Sequence, residues 1–108
     1  MAFPISASLL DACVLAALSR GDAYGYSLTQ QIKQTIDVSE STLYPVLRRL
    51  QKEKFLATYD QPMDGRNRRY YKITVEGQER LTLYLQEWDD YKKAIESILL
   101  GEVLGDDE

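Results

Sequence analysis

The residues of this 108-residue chain with the most capacity for polar chemistry fall into two clusters. Ser39, Ser41, Thr42 and Tyr44 place four hydroxyls just ahead of Pro45 and the pair Arg48–Arg49. Arg66, Arg68, Arg69 and Lys72 form the second cluster. Hydroxyls both donate and accept hydrogen bonds, and guanidinium groups grip phosphate or carboxylate in a planar fork. The chemistry on offer is recognition of a polar or anionic partner. Bond-making chemistry is poorly served. The chain has no histidine, which removes the usual general base and the Ser/His and Cys/His nucleophile pairs. One cysteine, Cys13, excludes an internal disulfide, and without histidine a structural zinc site is not expected. Asp89–Asp90 and Asp106–Asp107 are adjacent pairs that point apart. Neither an enzyme nor a metal or cofactor site is expected.

Net charge is −4, which at first sight argues against a polyanionic partner. The distribution argues otherwise. Residues 1–47 sum to −2, residues 48–72 to +5 and residues 73–108 to −7. Whole-chain charge governs solubility, whereas a local patch governs which polyanion docks. Leu10-Asp11-Ala12-Cys13 faintly resembles a lipoprotein cleavage site, but Asp11 breaks the apolar run and no Lys or Arg precedes Arg20. No apolar run reaches the roughly 18–20 residues of a membrane span. A cytoplasmic protein without membrane contact is expected, with Cys13 in its core.

The elements that must position the two clusters follow from periodicity. Residues 8–19 form an almost wholly apolar first helix, with Ser8 as a plausible cap and Gly21 as its stop. Leu28, Ile32 and Ile36 recur every four residues and predict a second helix that Tyr24 and Tyr26 begin. A polar turn, Asp37 to Glu40, leads to a third helix, capped by Ser39 or Ser41, whose buried stripe is Leu43, Val46, Leu47 and Leu50. Two helices joined by so short a turn predict a helix-turn-helix. After Lys54 the period changes. "FLATYDQ" and "RRYYKIT" flank the turn cluster "PMDGRN", which predicts a β-hairpin. Alternation puts Arg66, Arg68, Tyr70 and Lys72 on one face and Arg69, Tyr71 and Ile73 on the other, core-facing one.

From Val75 to Leu100 a single long helix is expected, with Leu81, Tyr84, Trp88, Tyr91, Ile95 and Ile98 on a 3,4-spaced seam widened by Leu85 and Leu99. A body of about 75 residues is too small to cover a seam of roughly 38 Å, so a second copy of the chain is expected to cover it. The fold class is mainly α with a small β-hairpin: a winged helix-turn-helix over residues 1–74, a dimerisation helix over 75–104, and an acidic frayed tail over 105–108.

At this level the chain resembles the PadR family of bacterial transcriptional repressors. "VLAALSRGDAYGYSL" is similar to that family's first helix, glycine turn and Tyr-Gly-Tyr start of helix two. "STLYPVLRRLQKEKFL" is similar to its recognition helix, where Thr-Leu-Tyr-Pro is the most specific element. "GRNRRYYKITVEGQERL" is similar to its wing strand and the Thr-x-x-Gly start of the last helix. The single last helix resembles the family's short-tail branch, which implies a homodimer. It also implies a pair of tryptophans that can stack a flat aromatic ligand.

With or without the resemblance, the third helix's first turns are expected to enter the major groove of double-stranded DNA. Ser39, Ser41, Thr42, Tyr44, Pro45 and Arg48 form that front, and Arg66 at the hairpin tip reaches a minor groove while Arg68 and Lys72 track phosphates. Open alternatives accompany several residues. Pro45 either presents this front or only shapes the turn, with Tyr44 in the core. Arg49 either extends the basic surface or pairs with a carboxylate. Tyr24 and Tyr26 either hold a phosphate at the start of helix two or pack on helix three. Trp88 lines either a small-aromatic effector site, whose neighbour Lys92 favours anionic guests, or plain interface packing. The competing function is a winged-helix protein-interaction module.

Overall fold

The computed structural model describes residues 3–101. The chain runs α1 (Ala7–Ser19), β1 (Ala23–Tyr24), α2 (Gly25–Thr35), α3 (Glu40–Lys52), β2 (Leu56–Met63), β3 (Arg66–Ile73) and α4 (Val75–Leu100). The expected acidic tail, and residues 102–104 of the expected dimerisation segment, lie outside the described residues. The architecture is a winged helix-turn-helix followed by one long helix.

Three of the four helices start where a hydroxyl accepts a free backbone N–H, and α2, which follows Tyr24, has no such side-chain cap. The α1 cap is Ser6, whose Oγ accepts from the Leu9 amide at 3.1 Å. Ser8, expected as the cap, lies inside the first turn instead. Ser39 caps α3 and Thr74 caps α4. The core lies between α1, α2, α3 and the root of the wing. Leu10, Val14, Leu15 and Leu18 of α1 meet Leu28 and Ile32 of α2, the Leu43–Leu50 stripe of α3, and Leu56 and Tyr71 of the sheet. Cys13 is half-buried beside this core, and burial pushes its thiol above its ordinary value.

The hairpin is longer and better partnered than its sequence announces. Paired strands reach Met63 and start again at Arg66, leaving only Asp64 and Gly65 as the turn. Both carry positive φ, 54° and 78°, as a tight hairpin turn with right-handed twist requires. Pro62, expected in the turn, sits within β2. It is tolerated there because the strand order is β1-β3-β2, so β2 is an edge. The two-residue β1 pairs Ala23 with Tyr71 and Tyr24 with Tyr70, adding a third strand that periodicity did not announce.

α4 begins on the body and leaves it. It packs mainly on α1, through Leu81 and the half-buried Tyr84. The Cα radius of gyration is 16.9 Å, against about 13 Å for a compact domain near this size. No helix among the described residues is long and apolar enough to cross a membrane.

Candidate nucleic-acid interface

The front of α3 is a cluster of hydroxyls held in place by one another. Ser39 Oγ accepts from the Thr42 amide at 3.2 Å and lies 2.8 Å from Ser41 Oγ and 3.1 Å from Thr42 Oγ1. All three residues are exposed. Glu40 turns the other way and accepts from Gln30 Nε2 at 2.7 Å and Lys33 Nζ at 3.2 Å, tying α2 to the start of α3. The Lys33 hydrogen bond, then that of Gln30, holds the Glu40 carboxyl below its ordinary range.

Pro45 lies inside α3, and the helix runs on through it. Lacking an N–H, it leaves the Ser41 carbonyl without its usual i+4 donor. That carbonyl belongs to the same exposed front. Pro45 itself is exposed, while Tyr44 is half-buried against the core cluster. The stripe Leu43, Val46, Leu47 and Leu50 is fully committed to the core, which leaves the opposite face for a partner.

Two neighbouring arginines of α3 have different surroundings. Arg48 is exposed and makes no ion pair among the described residues. Arg49 bridges Asp11 of α1, at 2.5 Å, and Glu53, at 3.3 Å. Asp11 is 5% exposed, one of the few polar side chains in the core. Its hydrogen bond raises the Arg49 pKa above the ordinary value. Arg49 is thus engaged by a carboxylate and bolts α3 to α1.

On the wing, alternation is as expected: Tyr71 is buried, and Arg66 and Lys72 are exposed on the opposite face. Arg69 reaches back to Asp60 at 3.9 Å across the strands. Arg68 differs from its neighbours. It is half-buried, with its guanidinium 4.9 Å above the centre of the Tyr24 ring. Tyr26 lies in the first turn of α2 as expected, whereas Tyr24 ends β1 just before it, and their ring contacts are with each other and, for Tyr24, with Tyr70 of the wing. Asp22 receives a 2.8 Å hydrogen bond from Tyr59 Oη of the wing, a link that spacing gave no sign of.

The expected α4 seam divides in two. Leu81 and Tyr84, expected on a dimer seam, belong to this chain's own core, because α1 lies across them. Tyr84 also receives the Arg80 guanidinium, 5.9 Å from its ring centre. Leu85, Trp88, Tyr91, Ile95 and Ile98 are exposed. Beside them run two apolar grooves. One, of about 420 Å³, lies between Phe3, Pro4 and Ile5 on one side and Tyr91, Ile95 and Leu99 on the other. The second, of about 340 Å³, is walled by Leu9, Ala12, Tyr84, Trp88 and Tyr91. The ionisable groups along this second groove are Glu87 and the two tyrosines; Lys92 does not line it. Among the described residues no group of His, Cys, Asp or Glu could hold a metal.

Comparison with known proteins agrees with this geometry. The family model described as "Transcriptional regulator PadR-like family" matches residues 14–83. The crystal structure of smu.1704 from Streptococcus mutans superposes with a TM-score of 0.86 at 42% identity, covering 94% of this chain and 95% of that one. A PadR-like transcriptional regulator of Bacillus cereus superposes at 0.76 with 33% identity, over 83% of this chain and 90% of its own. A transcriptional regulator of Mycobacterium tuberculosis is 34% identical over 93 residues, 85% of this chain and 79% of that protein. From the buried stripe of α3 to the start of α4, sequence and geometry agree: the chain belongs to the PadR-like family of transcriptional regulators.

Proposed function

We propose that this protein is a homodimeric repressor that binds a pseudo-palindromic operator in double-stranded DNA and acts in the cytoplasm. One observation carries the reading: the exposed front of α3. Ser39, Ser41 and Thr42 are outward while Leu43, Val46, Leu47 and Leu50 are inward. Arg48 extends this front, and Arg66 and Lys72 supply exposed charge on the wing. Hydroxyls accept or donate to several base edges, so the sequence read depends on their joint placement. The dimer rests on the open half of α4, where exposed Trp88, Tyr91, Ile95 and Ile98 are more apolar surface than a monomer ordinarily leaves wet. A flat aromatic effector would fit the groove walled by Tyr84, Trp88 and Tyr91, and would relieve repression by changing the spacing of the two α3 helices.

The test is fluorescence anisotropy with DNA from around the protein's own promoter, across 50–200 mM salt. About 6–8 phosphate contacts per dimer predict that log K falls with log salt at a slope of roughly −5 to −7. Binding that is absent, or indifferent to salt, returns the protein to the alternative of a winged-helix protein-interaction module.

A further inference from the structure

The outer face of the wing carries a row of tyrosines. Tyr24 on β1, Tyr70 on β3 and Tyr59 on β2 are direct cross-strand partners. Tyr59 and Tyr70 stack at 5.5 Å with an interplanar angle of 15°. Tyr24 leans on Tyr70 at 6.1 Å and on Tyr26 at 6.3 Å. Arg68 caps the row from above Tyr24, and the Tyr59 hydroxyl anchors its far end to Asp22. The row crosses the sheet from the last strand residue before α2 to the edge strand.

We infer that Arg68, stacked on Tyr24, is a positioning residue that clamps the wing to the N-terminus of α2, and is not one of the charges that touch phosphate. The clamp is needed because β1 holds the hairpin by only two residue pairs. From the tyrosine row to Arg66 is four residues, about 13 Å of strand at 3.3 Å per residue. A swing of about 10° at the root moves the tip by roughly 2 Å, more than the 2.7–3.2 Å window of a hydrogen bond absorbs. Stacked rings and a planar guanidinium resist such a swing, and an ammonium does not reproduce the guanidinium's planar fit. Arg66 and Lys72, which make no ion pair among the described residues, are the wing charges left for DNA. The DNA-facing part of this inference rests on the proposed function.

Two measurements test it on the full-length protein. The first needs no DNA. In Arg68→Ala and Tyr70→Leu, amide exchange at the Tyr24–Tyr70 and Ala23–Tyr71 pairs is expected to speed up, while the α1 and α3 core keeps wild-type protection. Unchanged protection at those pairs overturns the clamp. The second is the salt titration. Arg68→Lys and Tyr24→Leu are each expected to weaken DNA binding about tenfold across both protomers, the size of two lost exposed cation–π contacts, with the salt slope unchanged. Tyr24→Phe, which keeps the ring, should bind as wild type. If Arg68→Lys binds normally while Arg68→Ala flattens the slope by about 2, Arg68 is a phosphate ligand and the inference is wrong. If the wild type binds no DNA, the proposed function fails, and the exchange result still decides the clamp.

Discussion

Gly77 is where one added methyl should do the most damage. It stands in the first turn of α4, buried against the connection from α3 to β2 and against the end of β3. A Cβ there would lie 2.2 Å from the Phe55 carbonyl oxygen and 2.7 Å from Ile73 Cγ1. An ordinary carbon–oxygen contact is above 3 Å, so helix and strand would have to part by about 1 Å. The junction has no slack to give. The Phe55 carbonyl accepts from the Thr74 amide at 3.1 Å. Thr74 Oγ1 donates to the Lys54 carbonyl at 2.7 Å and accepts from the Gly77 amide at 3.0 Å. Parting by 1 Å loses the first bond, worth about 1 kcal/mol, and the Thr74 cap, worth about 1 kcal/mol. Residual overpacking adds roughly 1–3 kcal/mol. Alanine's better helix propensity returns at most about 1 kcal/mol. Gly77→Ala should therefore destabilise by about 2–4 kcal/mol, a fall in Tm of roughly 10–30 °C for a domain of this size. The assay is thermal unfolding followed by circular dichroism at matched protein concentration, because the proposed dimer would make Tm depend on it. A variant melting within about 2 °C of wild type would show that the junction relaxes at little cost, and the account of the Thr-x-x-Gly motif would fail.

Further expectations concern other contacts. Arg49→Met strands the Asp11 carboxylate in the core and should cost about 2 kcal/mol in urea unfolding; fully buried pairs lose 3–5, but the Arg49 side chain is 42% exposed. Asp11→Leu, which removes the buried charge itself, should cost less. Glu40 has a lowered pKa, so its hydrogen bonds to Lys33 and Gln30 stabilise above the unfolded carboxyl value and vanish as pH falls through the folded one. The Tm gap between wild type and Glu40→Gln should accordingly be present at neutral pH and close on acidification below about pH 4. Ile95→Asp combined with Ile98→Asp should sediment as a monomer and lose most DNA affinity, and a monomeric wild type at micromolar concentration would refute the α4 interface. Trp88, the only tryptophan, should be quenched saturably by flat aromatics, and no saturation with any of them would leave it as interface packing.

What could be read from sequence, and what could not, divides along a physical line. Period and alternation report which side of an element is buried. They placed α2, α3, the outward Arg66 and Lys72, and α4 from Val75 to Leu100. They do not report what does the burying. Leu81 and Ile95 lie on one stripe of α4, yet α1 covers the first and leaves the second open. Ala23–Tyr24 is too short to show any period, so β1 was invisible. With it went the fact that Tyr24 stands in the same row as Tyr70, and hence that Arg68 has a ring to sit on. Pro62 misled for a related reason: proline excludes a residue from a central strand, and nothing local says that β2 is an edge. Ser6 and Ser8 are both competent caps by residue type, and composition alone does not choose between them; Ser6 takes the Leu9 amide.

Pro45 shows how one residue joins fold to function. Inside a helix proline costs on the order of 3 kcal/mol, chiefly a lost bond and a clash with the carbonyl four residues earlier. That carbonyl is Ser41's, in the first turn of α3, where the helix can adjust without disturbing Leu43, Leu47 or Leu50, all at or below 1% exposure. The adjustment is confined to the end that carries Ser39, Ser41 and Thr42. It leaves a backbone acceptor and three linked hydroxyls on one exposed front, ahead of Arg48. A proline one turn later would break the buried stripe, and an alanine at 45 would restore the Ser41 hydrogen bond and take the acceptor away. If the front reads DNA, Pro45→Ala should raise thermal stability slightly and weaken or broaden operator recognition. Greater stability with unchanged discrimination between operator and scrambled DNA would show that Pro45 serves only the turn.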